Sequence, residues 1–132
     1  MSRVAIAGGP KTGKTTLAPS FSGTIIHTDD YIKKDIRVLM DDVRKLKDNY
    51  VVEGTLVPNL IREFMYEGLY IPFDRLVVLT KPRIELTNRQ WTLTGSIHKV
   101  LGQIIPFMEK GSKGGWRNND QTRTHELPYQ NR

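Results

Sequence analysis

Residues 8–15 are Gly8-Gly9-Pro10-Lys11-Thr12-Gly13-Lys14-Thr15: a glycine, four residues, then Gly-Lys-Thr, with Thr16 following. Glycine lets the main chain wrap a phosphate with its N–H groups, where side chains would block the approach and forbid the dihedrals. Lys14 brings a positive charge to the β and γ phosphates, and the Thr15 hydroxyl is a hard oxygen ligand for Mg²⁺. The residue types and spacing predict a P-loop for ATP or another nucleoside triphosphate with Mg²⁺. It is formed by Gly8, Gly9, Pro10, Lys11, Thr12, Gly13, Lys14, Thr15 and Thr16.

Such loops serve motors, switches and kinases alike, so the reaction has to come from other residues. Asp29 and Asp30 follow a β-prone run at 24–27. That places them at the carboxyl edge of a sheet, where substrates bind in open α/β folds. A carboxylate there can accept the proton of a hydroxyl attacking the γ-phosphate, and Asp29 is the candidate base; the alternative role for the pair is to cap the next helix. Glu53 ends a third β-prone run, where it can serve the Mg²⁺ or orient an acceptor, or else simply face solvent. Arg83 and Arg89 can lay guanidinium groups over the transferring phosphoryl, Arg89 being the preferred one and surface solvation the alternative. Lys33, Lys34 and Arg37 suit a phosphate-bearing acceptor or a solvated helix face. His27, Trp91 and Trp116 have no spacing partners for a metal site or a stacking platform, and packing is the expectation for each.

The elements around these residues alternate. Residues 3–7 are a short β-prone run into the glycine loop, and 14–20 are helix-compatible. Ile32, Ile36, Leu39, Val43 and Leu46 recur at spacings of 4, 3, 4 and 3. This is the stripe of an amphipathic helix beginning near Tyr31. Residues 50–53 and 75–79 read as buried strands, 58–66 as a helix opened by Pro58, and 82–91 and 96–110 as two further helices. Apolar runs such as Val51-Val52 and Leu76-Val77-Val78-Leu79, separated by helical stretches, mark a parallel sheet covered on both faces. The predicted fold is α/β, a small three-layer P-loop sandwich with about four parallel strands. Residues 1–110 form this domain, and 111–132, rich in Gly, Asn, Thr and charge, are expected to be a loosely ordered tail.

Composition narrows the partners. The 132 residues hold no cysteine, which excludes disulfides and thiolate metal sites. No stretch approaches the roughly 18 apolar residues of a membrane span and residues 1–7 carry no apolar targeting run, so a soluble, cytoplasmic protein without a membrane partner is expected. A net charge of +6 points to an anionic partner such as nucleic acid, or to a basic solvated surface.

Gly8 to Thr16, then His27-Thr28-Asp29-Asp30-Tyr31, then Val51-Val52-Glu53-Gly54-Thr55-Leu56, resemble the kinase domain of phage polynucleotide kinases. Residues 83–89 resemble the lid helix of that group, so the resemblance covers roughly residues 3–91. It implies ATP-dependent transfer to a hydroxyl, with Asp29 as base and Arg89 as lid arginine. Glu53 stands where the group usually has Asp. Together with the reading of the residues, Lys14, Asp29 and Arg89 are the expected catalytic residues, and Thr15 and Glu53 the expected Mg²⁺ ligands. The group carries an arginine directly after Asp-Asp-Tyr to grip the acceptor phosphate, and here that position is Ile32. Phage kinases that resemble this group and phosphorylate 5-hydroxymethyluracil in DNA offer a second acceptor beside a 5′-hydroxyl end. DNA is thus the favoured partner; a nucleoside or other small-molecule kinase and a non-kinase P-loop ATPase switch are the competing readings.

Overall fold

The computed structural model describes residues 2–109, 116–118 and 122–126. Four strands are parallel: β1 (Arg3–Gly8), β2 (Thr24–His27), β3 (Tyr50–Glu53) and β4 (Arg75–Leu79). They lie in the order β2-β3-β1-β4, and β6 (Thr122–Glu126) and β5 (Trp116–Asn118) extend the sheet beyond β4 as antiparallel strands. The expected α/β fold with four parallel strands is therefore present, and the sheet is wider than expected. The two added strands lie within the stretch read as a loose tail; the remainder of 110–132 falls outside the described residues.

Burial on both faces follows from the apolar runs. Ala5, Ala7, Tyr50, Val52, Leu76 and Val78 turn one face toward α2 (Ile36–Arg44), α3 (Val57–Tyr66) and α4 (Asn88–Glu109). Val4, Ile6, Val51, Val77 and Leu79 turn the other toward Leu17, Ala18 and Phe21, in and after α1 (Lys14–Leu17). Fully burying an aliphatic or aromatic side chain contributes about 1.5–3 kcal/mol, so the wholly enclosed Phe64, Phe73 and Leu76 anchor the thicker layer. Tyr50 packs edge-on to Phe73 at 6.2 Å and donates its hydroxyl hydrogen to the Pro72 carbonyl, so its one polar atom is satisfied.

Three helix boundaries differ from the expectation. The helix expected near Tyr31 starts at Ile36, because Asp35 caps it by accepting from the Arg37 amide at 2.9 Å. Residues 28–31 form a 3₁₀ turn instead, and Ile32 stays 59% exposed rather than joining the stripe. The helical stretch 14–20 is α only to Leu17 and tightens to 3₁₀ over Ala18–Ser20, where Pro19 has no amide to donate.

The two helices expected at 82–91 and 96–110 are one, α4. Its start is a reciprocal capping box: the Gln90 side chain accepts from the Thr87 amide at 2.9 Å and the Thr87 hydroxyl from the Gln90 amide at 3.2 Å. Through the Thr-Leu-Thr-Gly-Ser stretch the hydroxyls of Thr92, Thr94 and Ser96 bond back to carbonyls four residues earlier, so these side chains do not interrupt the helix. Thr94, Ile97, Leu101 and Ile104 are its buried face. No helix among the described residues is long and apolar enough to cross a membrane.

Candidate active site

The glycine loop leaves the centre of the sheet at the carboxyl end of β1 and is tied down on three sides. The Thr12 hydroxyl donates to the Gly9 carbonyl at 2.9 Å, and the buried Lys14 ammonium donates to the same carbonyl at 2.7 Å. Thr94 of α4 packs directly against Gly9. The Arg83 amide donates to the Lys11 carbonyl at 2.7 Å, while its guanidinium lies over Gly13. Gly13, at φ +98°, turns the chain into α1 through a conformation that side chains disfavour. Since α1 has only four residues, the positive character of the loop rests mainly on Lys14. Burial pushes the Lys14 ammonium below its usual range, and the nearby carboxylates of Glu53 and Asp29 partly offset this.

A cleft of about 500 Å³ opens beside the loop. Pro10, Lys11, Gly13, Lys14, Thr15 and Thr16 line one side of it, and Asp29, Ile32, Glu53 and Thr55 another. The topology explains the meeting: β2 and β3 are neighbours and β1 is next, so their carboxyl ends open onto one edge. Asp29 is exposed on the 3₁₀ turn after β2 and lines the cleft, whereas Asp30 does not; neither side chain caps a helix, that task falling to Asp35.

Glu53 is 2% exposed, not the solvent-facing residue that was its alternative. The Thr15 hydroxyl donates toward its carboxylate at 3.3 and 3.4 Å, and His27 Nδ1 lies 3.2 Å from Oε2. Thr15 and Glu53 therefore converge as two hard oxygen ligands, the donor chemistry that Mg²⁺ takes. The described residues hold no cluster of three His, Cys, Asp or Glu able to grip a metal alone. A cation there would complete its shell with triphosphate oxygens and water, as Mg²⁺ usually does in nucleotide sites.

The arginines are placed otherwise than expected. Arg89 is exposed on the first turn of α4 and is not among the residues lining the cleft; Gln90 and Leu93 of that helix are. Arg83 sits in the loop after β4, over the glycine loop itself. Of the basic residues after Asp29, Arg37 bonds Glu67 at 2.7 Å, Lys34 lies 5.1 Å from the centre of the Tyr31 ring, and Lys33 is exposed. Trp91 is exposed, and only the backbone of Trp116, in β5, is described. His27 is no packing residue, since it contacts the buried carboxylate; the signal for that role is its position opposite Glu53 in the β2–β3 pairing. Gln90 and Thr55 also line the cleft and Thr94 packs against Gly9, and the one signal in the sequence for any of them is the Thr87-to-Gln90 capping spacing.

No protein-family model matches the chain, and a search of curated proteins finds no match.

Proposed function

We propose that the protein is an ATP-dependent, Mg²⁺-requiring phosphotransferase that moves the γ-phosphate to a hydroxyl of DNA. The observation that carries this reading is the presence of Asp29 on the same cleft as Lys14 and Thr15. A nucleotide switch needs the loop but does not require an exposed carboxylate lining the same cleft.

In this reading Asp29 accepts the proton of the acceptor hydroxyl while its oxygen forms a bond to the γ-phosphorus. The bond from that phosphorus to the β,γ-bridging oxygen breaks, and ADP leaves with the electron pair. Lys14 neutralises charge on the phosphoryl oxygens, and Arg83 is the arginine nearest to assist. Thr15 and Glu53 would hold Mg²⁺, which shields the triphosphate charge when bound. The net charge of +6, and Lys33 and Lys34 directly after Ile32, support a polyanionic acceptor. Ile32, where the resembled kinases grip an acceptor phosphate, favours a hydroxyl carried on a base, such as 5-hydroxymethyluracil, over a 5′-hydroxyl end.

The test is to incubate the protein with γ-labelled ATP and Mg²⁺ against duplex DNA containing 5-hydroxymethyluracil, DNA and RNA with 5′-hydroxyl ends, and mixed nucleosides. Asp29→Asn is the control, with an expected loss of about 10²–10⁴-fold in transfer and little change in ATP binding. Label on the modified duplex that disappears in the control is the expected result. Label only on nucleosides would replace the acceptor, and phosphate release that ignores Asp29 would replace the kinase by an ATPase.

A further inference from the structure

Glu53 is a charged group in an unusual place. It stands at the end of a central strand, and its side chain is 3% exposed. A buried carboxylate is costly unless donors satisfy its oxygens. Its hydrogen-bonding contacts here are the Thr15 hydroxyl and the ring of His27, 3.2 Å away.

The backbone dictates this meeting. His27 and Glu53 are direct partners in the parallel pairing of β2 with β3, and Glu53 is the partner of Ile6 in the pairing of β3 with β1. Ile6, Glu53 and His27 thus form one row across the sheet, on the face that α1 covers. An ionised carboxylate only accepts, so His27 must carry its proton on Nδ1 to bond Glu53.

The hydroxyl of Thr15 has one hydrogen and two lone pairs. While its hydrogen points at Glu53, a lone pair remains for a cation. The aim of that lone pair depends on where Glu53 is held, and His27 is the other side chain that holds it.

We propose that His27 is a positioning residue: its Nδ1–H fixes the buried carboxylate of Glu53, and through it the Thr15 hydroxyl, in the arrangement that binds the divalent cation of a metal–triphosphate complex. This rests on the reading of the loop as a nucleotide site, but not on phosphate transfer. Groups that orient metal ligands from behind typically change metal affinity by 10–100-fold when removed.

The experiment measures metal without turnover. Mn²⁺ binding is followed by electron paramagnetic resonance in the presence of a non-hydrolysable ATP analogue, for the wild type, His27→Phe and His27→Asn. Phe keeps a ring without a donor, and Asn keeps an amide donor near the place of Nδ1. Metal-free analogue binding, measured with EDTA, and thermal melting run alongside. The expected result is Mn²⁺ affinity about tenfold or more weaker in His27→Phe. Most of it should return in His27→Asn, with the melting temperature and metal-free binding close to wild type.

An unchanged Mn²⁺ titration in His27→Phe would overturn the proposal. So would equal loss in both variants, or a parallel loss of metal-free binding, which would make His27 merely structural. Wild-type protein that binds no Mn²⁺–analogue complex would overturn it together with the nucleotide reading. Normal binding without transfer to any acceptor would sink the kinase alone and leave His27 in its role.

Discussion

The Thr28 hydroxyl fills the space beside Gly54 that any Cβ at that position would need, and it receives the Leu56 amide at 3.4 Å. These two residues directly follow β2 and β3, one step from Asp29 and from Glu53 respectively. The tie holds the candidate base and the candidate metal carboxylate at a constant separation.

Gly54→Ala is accordingly expected to be severe. Gly54 adopts φ +140°, which side chains disfavour, and the added methyl meets Thr28. Left-handed strain plus the clash should cost about 3 kcal/mol in urea denaturation. Pairing it with Thr28→Ala removes the clash but not the strain, so the double variant should recover part of the loss. A single variant as stable as wild type would mean that the two strand ends are not locked together.

Much of this frame is legible in the sequence. Val51-Val52 and the 76–79 run read as strands buried on both faces because their chemistry is local, and the turn between β1 and α1 is legible because Gly13 adopts a positive φ that other residues disfavour. The rest depends on contacts between distant segments. The meeting of His27 with Glu53 needs β2 beside β3, which no periodicity reveals. Arg83 lies over the glycine loop because its amide bonds the Lys11 carbonyl, and that bond also opposes the helix expected from 82. The start of α4 at Asn88 follows from Thr87 and Gln90 capping each other, and its continuity from hydroxyls of Thr92, Thr94 and Ser96 that bond back along the helix, which the apolar spacing does not reveal.

Lys14 should show opposed effects on binding and stability. Its lowered pKa means that the unfolded chain holds this proton more tightly than the fold does. Below its folded value the burial penalty is fully present, and stability rises with pH between that value and the usual 10.5. Lys14→Met therefore should leave the nucleotide-free protein unchanged or more stable by up to about 1 kcal/mol, while weakening triphosphate binding about 10²-fold or more. Denaturation with and without a triphosphate checks both. A variant clearly less stable without nucleotide would show that the bond to the Gly9 carbonyl outweighs the burial.

Tyr31 offers a test in alkali. Its hydroxyl donates to Asp42 at 2.6 Å and fastens the turn carrying Asp29 to α2. That hydrogen bond is the main reason its phenol is pushed up to about 12 from 10.0. The resulting stability is fully present below pH 10.0 and is lost as pH rises through about 12. Tyr31→Phe should cost about 0.5–1 kcal/mol at neutral pH, modest because the pair is partly solvated. It should also remove a phenolate absorbance component titrating near 12. If that component persists in the variant, Tyr31 does not carry the bond.

Arg83 and Arg89 can be separated directly. The Arg83 guanidinium lies over Gly13, while Arg89 projects from the first turn of α4, where the helix dipole is unfavourable to a cation. Under the kinase reading, Arg83→Ala should lower kcat/KM by about 10²-fold, since a fixed donor near the phosphoryl group contributes chiefly in the transition state. Arg89→Ala should stay within about threefold and cost no stability. Arg83→Lys should not restore the rate, because an ammonium lacks the planar fork that engages two oxygens at once. Steady-state rates on whichever acceptor is labelled decide between the two. A larger loss at Arg89 would require the start of α4 to move toward the cleft when both substrates are bound, and with it the capping pair of Thr87 and Gln90.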